Sequence, residues 1–240
     1  MAEVNNVGGN STIVNYGVSS REGKIYRSSK IEEDGYTKIE MQNGGITYHK
    51  YLDGLSGKVT YMARDQKEFV QDGKTKKLDN LKVFLNDGTT TQAISLATYS
   101  QEWKLFIKHM FNVDFNKDIT LAFYKKKVED KSYLNCMVKY TGETTEDGKA
   151  VYPKWLDAIS VSKGGDVPDA TKNKKGEWDY TDNDIWFLEK MEVLIQVFNE
   201  FKAKNGGNTP APQAPSQTQA EEPKAEVAGA GLTKNDSLPF

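Results

Sequence analysis

Apolar and polar residues alternate along much of the chain between residues 36 and 96, a period-two pattern. It predicts strands over 36–41, 46–52, 58–64, 81–86 and 91–96. Asp87-Gly88, between the last two, marks a tight hairpin turn. The period then changes. Trp103, Phe106, Ile107 and Met110 recur at spacings of three and four, which predicts a helix over about 100–111 with Ser100 as its N-cap. Two more strands, 119–128 and 133–140, flank the polar link Glu129-Asp130-Lys131-Ser132. Residues 141–181 are polar and broken by Gly148, Pro153, Gly164-Gly165, Pro168 and Gly176, with one short strand candidate at 158–161. A second helix is predicted over about 183–204. Phe187, Met191, Leu194, Phe198 and Phe201 form one stripe along it, and Gly206-Gly207 stop it.

Several strands, one helix and then a β-hairpin predict a mainly β fold with helices (α+β). The expected architecture is an OB-fold-like Greek-key barrel with a capping helix, a C-terminal helix and a disordered tail, with an SH3-like barrel or another small β-domain as the alternative. Residues 1–20, rich in Asn, Gly and Ser, are expected to be loose, and 23–30 to form a short basic arm. The expected division is a flexible segment 1–20, an OB-like body 21–205 that includes the helix 183–204, a disordered linker 206–234 and a tip 235–240. Five of the seven prolines follow Gly206, and no aromatic appears there until Phe240. Such a stretch has too little apolar area to offset the entropy of ordering it.

Composition narrows the setting. The single cysteine, Cys136, leaves no internal disulfide and fits a reducing compartment. No apolar run reaches the length of a membrane span and the first residues do not read as a signal peptide, so a cytoplasmic location, with no membrane partner, is expected. The net charge is −2. Lys224 and Lys234 against Glu221, Glu222, Glu226 and Asp236 assign all of it to the tail, so the body is neutral. That is not the strongly basic footprint of a duplex-DNA protein, but a neutral body can still hold a basic groove lined with stacking aromatics.

Catalytic chemistry is hard to find. His49 and His109 have no Cys or His partner at zinc spacing and are expected at or near the surface. Asp114-x-Asn116-x-Asp118 imitates the start of an EF-hand loop, but Ile119 and Lys125 stand where Gly and Glu are required, so these residues are expected to close the helix end. No glycine pair has the context of a phosphate loop. The expectation is a protein without catalytic residues, metal or cofactor.

Strand faces that carry aromatic and basic residues together suit single-stranded nucleic acid better. Rings stack on bases while Lys and Arg meet phosphates. In the 119–140 hairpin, Ile119, Leu121 and Phe123 face Leu134, Cys136 and Val138. The opposite face carries Tyr124 and Lys126 on one strand and Tyr133, Met137 and Lys139 on the other. The remaining candidates are Lys82 and Phe84, Tyr48 and Lys50, Lys58 and Arg64 (from an outward set Lys58, Thr60, Met62 and Arg64), and Tyr26 and Arg27 in the arm. Trp155 and Trp178 are either core anchors or stacking platforms, and of the two the core is expected.

The chain ends Asn235-Asp236-Ser237-Leu238-Pro239-Phe240. This tip, on a Pro-rich linker, resembles the acidic Pro-Phe tip of single-stranded-DNA-binding proteins (SSB) of bacteria and bacteriophages. The resemblance covers the tail and the order of elements in the body, and the larger body is more similar to bacteriophage members. It implies sequence-tolerant ssDNA binding in replication, recombination or repair, in a bacterial cell or a phage-infected host. Asp236, Leu238, Pro239, Phe240 and the α-carboxylate would then recruit replication, recombination or repair proteins. The competing expectations are a structural or assembly protein, for example of a virion, that docks neighbours through its tail, and an enzyme with an unrecognised site.

Overall fold

The computed structural model describes residues 5–7, 11–41, 44–71 and 74–205; the expected linker 206–234 and tip 235–240 lie outside the described residues. The fold is mainly β with two helices. In chain order the elements are β1 (Asn5–Val7), β2 (Ser11–Ser19), β3 (Lys24–Ser29), β4 (Thr37–Glu40), β5 (Ile46–Leu52), β6 (Leu55–Gln71), β7 (Lys74–Asn86), β8 (Thr90–Ala97), α1 (Gln101–Met110), β9 (Ile119–Val128), β10 (Lys131–Tyr140), the short pair β11 (Thr171–Lys172) and β12 (Trp178–Asp179), and α2 (Thr181–Lys204).

Ten strands form one sheet in the order β10-β9-β6-β7-β8-β2-β3-β5-β4, with β1 paired to β2. All of these ladders are antiparallel except β2 with β8, which is parallel. The path is not closed into a barrel: among the described residues no ladder joins its ends. The sheet nevertheless curves until the β2–β3 turn meets β9. Gly23, at φ 64°, leaves no room there for a side chain, because a Cβ would lie 2.9 Å from the Lys125 backbone nitrogen.

The core lies between this curved sheet and the two helices. Leu81, Val83 and Leu85 of β7, Ile119 and Leu121 of β9, and Trp103, Phe106, Ile107 and Met110 of α1 are all essentially inaccessible. Ser100 caps α1 as expected, its Oγ accepting the Trp103 N–H at 3.1 Å. The stripe of α2 packs here too: the Trp103 indole donates to the Met191 sulfur at 3.2 Å, and the Phe198 ring meets Phe115 edge-on at 5.1 Å. At the end of α1, the Asp114 carboxylate accepts the Asn116 N–H at 3.0 Å.

Three stretches differ from expectation. Ser11–Ser19, expected to be loose, is a strand, because the edge of β8 offers Thr12 to Tyr16 a parallel partner that composition does not reveal. The expected basic arm is likewise β3, held between β2 and β5. The strand expected at 158–161 is only a bridge from Ser160 to Val167 followed by a 3-10 turn, Val161–Lys163. Beyond the predicted strands 58–64 and 81–86, β6 and β7 also run on as a two-stranded ribbon.

Candidate nucleic-acid interface

The β9–β10 hairpin turns in two residues rather than four, because Glu129 takes the left-handed conformation, φ 54°, that a tight link needs. Its register pairs Tyr133 with Lys126 and Tyr124 with Asn135. Strand alternation therefore puts Tyr124, Lys126, Tyr133 and Lys139 on one face, with the core residues on the other. Tyr124 and Tyr133 are 45% and 47% exposed, enough area for a base to cover. Lys125, Lys126 and Lys127 are exposed and make no ion pair among the described residues.

A second aromatic group lies on the outer side of the sheet. Tyr61 of β6 and Phe84 of β7 are cross-strand partners with ring centroids 4.8 Å apart. Phe84 is paired in turn with Ala93, and Ala93 with Asn15. Two residues along β2, Gly17 pairs with Tyr26, and Tyr26 with Tyr51. The Tyr26 ring covers the Gly17 backbone so closely that a Cβ at Gly17 would meet the ring at 2.7 Å. On its other side Tyr26 stacks on His49 at 4.0 Å with 16° between planes. The band thus has rings at both ends, Tyr61 and Phe84 at one and Tyr26, His49 and Tyr51 at the other. Small side chains lie between them, and Lys58 and Lys82 share the face of the first pair.

His49, Tyr51 and Tyr61 were absent from the sequence-derived set. The first two were readable, since alternation along β5 sets them opposite Tyr48 and Lys50. Tyr61 was hidden by a β-bulge. The ladder slips between Val59 and Tyr61, so Lys58 stays outward, but Met62 and Arg64 turn to the core side in place of Tyr61. Met62, expected outward, is 2% exposed.

Several predicted contacts are placed elsewhere. Arg27 and Lys50 are paired on the core side of the sheet, with Tyr48 on the same side, and the Arg27 Nε is buried. Arg64 chelates Asp79, with Nη2 2.6 Å and Nε 2.9 Å from its oxygens, and reaches Glu192 of α2 at 2.9 Å. These bonds raise its pKa and hold the Asp79 carboxyl below the usual range. Lys82 lies 2.7 Å from Asp65 and depresses that carboxyl too. The twelve candidates therefore divide. Tyr26, Lys58, Lys82, Phe84, Tyr124, Lys126, Tyr133 and Lys139 share the outer side of the sheet, and Arg27, Tyr48, Lys50 and Arg64 do not.

The tryptophans and histidines correct two further expectations. Trp155 and Trp178 are 51% and 59% exposed and are not core residues. The tryptophans buried in the core are Trp103 and Trp186. His109 is buried, its ring 4.7 Å from that of Trp155, and burial together with the Lys108 charge pushes its pKa down to about 4. Burial also lowers the pKa of His49. Among the described residues no group of His, Cys, Asp and Glu is placed to hold a metal ion, and no helix is long and apolar enough to cross a membrane. Comparison with protein-family models, curated proteins and solved structures found no match.

Proposed function

We propose that this chain is a sequence-tolerant single-stranded-DNA-binding protein built on an OB-type sheet. The observation that carries the reading is the β9–β10 hairpin, where two half-exposed tyrosines share a face with Lys126 beside a run of lysines that make no ion pair among the described residues. Rings and unneutralised cations on one rigid strand pair match the base–phosphate repeat of a single strand.

The strand order supports the same reading. In an OB-fold the first strand lies between the second and the fourth, the third beside the second and the fifth beside the fourth, with the helix between the third and fourth. β6, β7, β8, β9 and β10 stand in that order, and α1 lies between β8 and β9. The outer face of β7 and β8 and the β9–β10 tip then correspond to the parts of the fold that take oligonucleotides. β2 occupies the edge of β8.

The tail adds recruitment. Leu238 and Phe240 give apolar area, Pro239 lowers the ordering cost, and Asp236 suits a basic lip on a replication, recombination or repair protein.

Fluorescence anisotropy with a labelled oligo-dT of about 30 nucleotides, roughly two to seven OB site sizes, tests the domain at two salt concentrations. Binding that weakens with salt, and that an unlabelled strand of unrelated sequence competes away, is expected. No binding at low salt overturns the reading. Deleting residues 235–240 is expected to leave that affinity unchanged while abolishing capture of replication or repair proteins.

A further inference from the structure

The long excursion between β10 and α2 carries exposed aromatics that the interface above does not use. β11 and β12 form a small hairpin whose register pairs Lys172 with Trp178. Its turn is locked by Asn173, whose side-chain oxygen accepts the Lys175 and Glu177 amides at 2.9 and 3.0 Å. The Lys172 ammonium lies 5.0 Å from the centre of the Trp178 ring. Immediately beyond, Tyr180 is 50% exposed, with the Lys104 ammonium 5.7 Å from its ring. Lys108, one turn further along α1, lies 5.9 Å from the Trp155 ring. Tyr180 and Trp155 are therefore linked by two lysines on successive turns of one helix face, about 6 Å apart.

We infer that Trp178, Tyr180 and Trp155 form a second stacking surface for single-stranded nucleic acid, separate from the outer face of the sheet, for a strand long enough to occupy both. The inference rests on the ssDNA-binding reading. A ring buried to complete the core would be covered; these three are about half uncovered. A purely apolar protein-docking patch has no use for a cation over every ring. Here each ring has a lysine, and the alternation of planar apolar surface with positive charge is what successive bases and phosphates require. Lys104 is already engaged by Asp184 and by the Asn183 side chain at 2.8 Å, so it holds Tyr180 in place. Lys108 and Lys172 make no ion pair among the described residues and remain to meet phosphate. The locked hairpin means that the platform costs little to order on binding.

The test uses the full chain and two oligo-dT lengths, about 10 nucleotides, which fits one OB site, and about 30, which runs past it. Trp155→Ala/Trp178→Ala is expected to bind the short strand as the unaltered protein does, and the long strand at least about fivefold more weakly, the loss of one or more stacked bases. Lys108→Gln/Lys172→Gln keeps every ring and is expected to make the salt dependence on the long strand shallower by about 1 on a log–log plot. Quenching of tryptophan emission by the long strand is expected to fall in Trp155→Phe/Trp178→Phe. Unchanged affinity and unchanged quenching on the long strand overturn the inference and leave the ssDNA-binding reading intact. Equal loss on both lengths overturns a separate second surface. If the unaltered protein binds neither strand, the ssDNA-binding reading itself fails.

Discussion

The β6–β7 ribbon and the β9–β10 hairpin are both long antiparallel pairs rich in lysine, yet their charges are spent differently. Along the ribbon beyond Lys58, the basic groups Arg64, Lys67, Lys77 and Lys82 each have an acid beside them. Lys77 lies 3.0 Å from Glu68, Lys82 2.7 Å and Lys67 3.7 Å from Asp65, and Arg64 lies between Asp79 and Glu192. Along the hairpin Lys125, Lys126 and Lys127 have none among the described residues. A count of lysines does not separate the two arms, but the cross-strand register does. Charge already neutralised inside the protein has less to gain from displacing counterions on a nucleic acid, so under the proposed function more of the phosphate contact falls to the hairpin than to the ribbon.

The largest effect expected from this contrast is on salt dependence. Lys125→Gln/Lys126→Gln/Lys127→Gln should make the log–log slope of ssDNA affinity against salt shallower by about 2, roughly a hundredfold in affinity for each tenfold step in salt. Lys67→Gln/Lys77→Gln on the ribbon should leave the slope unchanged. Anisotropy titrations at three salt concentrations decide it, and equal slopes for the two variants would erase the difference between the arms.

Next come the rings. Tyr124→Ala and Tyr133→Ala should each weaken binding by about 1–3 kcal/mol if a base stacks on the tyrosine. Both side chains are half-exposed, so thermal unfolding should be nearly unaffected. Unchanged affinity in both would make these tyrosines ordinary strand residues.

Asp79→Ala is the converse, a stability effect without a binding effect. It strips the half-buried Arg64 of its closest partner, and a loss of about 1–3 kcal/mol in urea unfolding at pH 7 is expected. The Asp79 pKa is lowered in the fold, so its contribution is present above the unfolded carboxylate value near 3.9 and is lost as pH falls through the folded value. The variant and the unaltered protein should therefore converge in stability as pH falls below the unfolded carboxylate value and through the folded one.

The smallest expected effect is at the hairpin turn. Glu129→Gly relieves a left-handed backbone and should raise stability by up to about 1 kcal/mol, leaving DNA affinity as it was.

What the sequence determined by itself was local. The period of the apolar residues placed the cores of β4 to β8, both helices and β9 with β10, because periodicity records which face of an element is buried. It also divided the hairpin correctly into a core face and a face with Tyr124, Lys126, Tyr133 and Lys139. Pairing at long range was beyond it. β2 and β3 are strands because the edges of β8 and β5 receive them, and no property of Ser11–Ser19 alone records that neighbour. The bulge at Thr60 reversed the faces of β6, since one extra residue exchanges every side chain that follows it. Whether Arg64 and Lys82 hold free or neutralised charge depended on Asp79, Glu192 and Asp65, brought beside them only by folding. Trp155 and Trp178 were expected inside, as core anchors rather than stacking platforms. The tertiary structure left them at the surface because α1, α2 and the sheet already fill the core with Trp103 and Trp186, and a side chain is buried only where packed neighbours leave it a place.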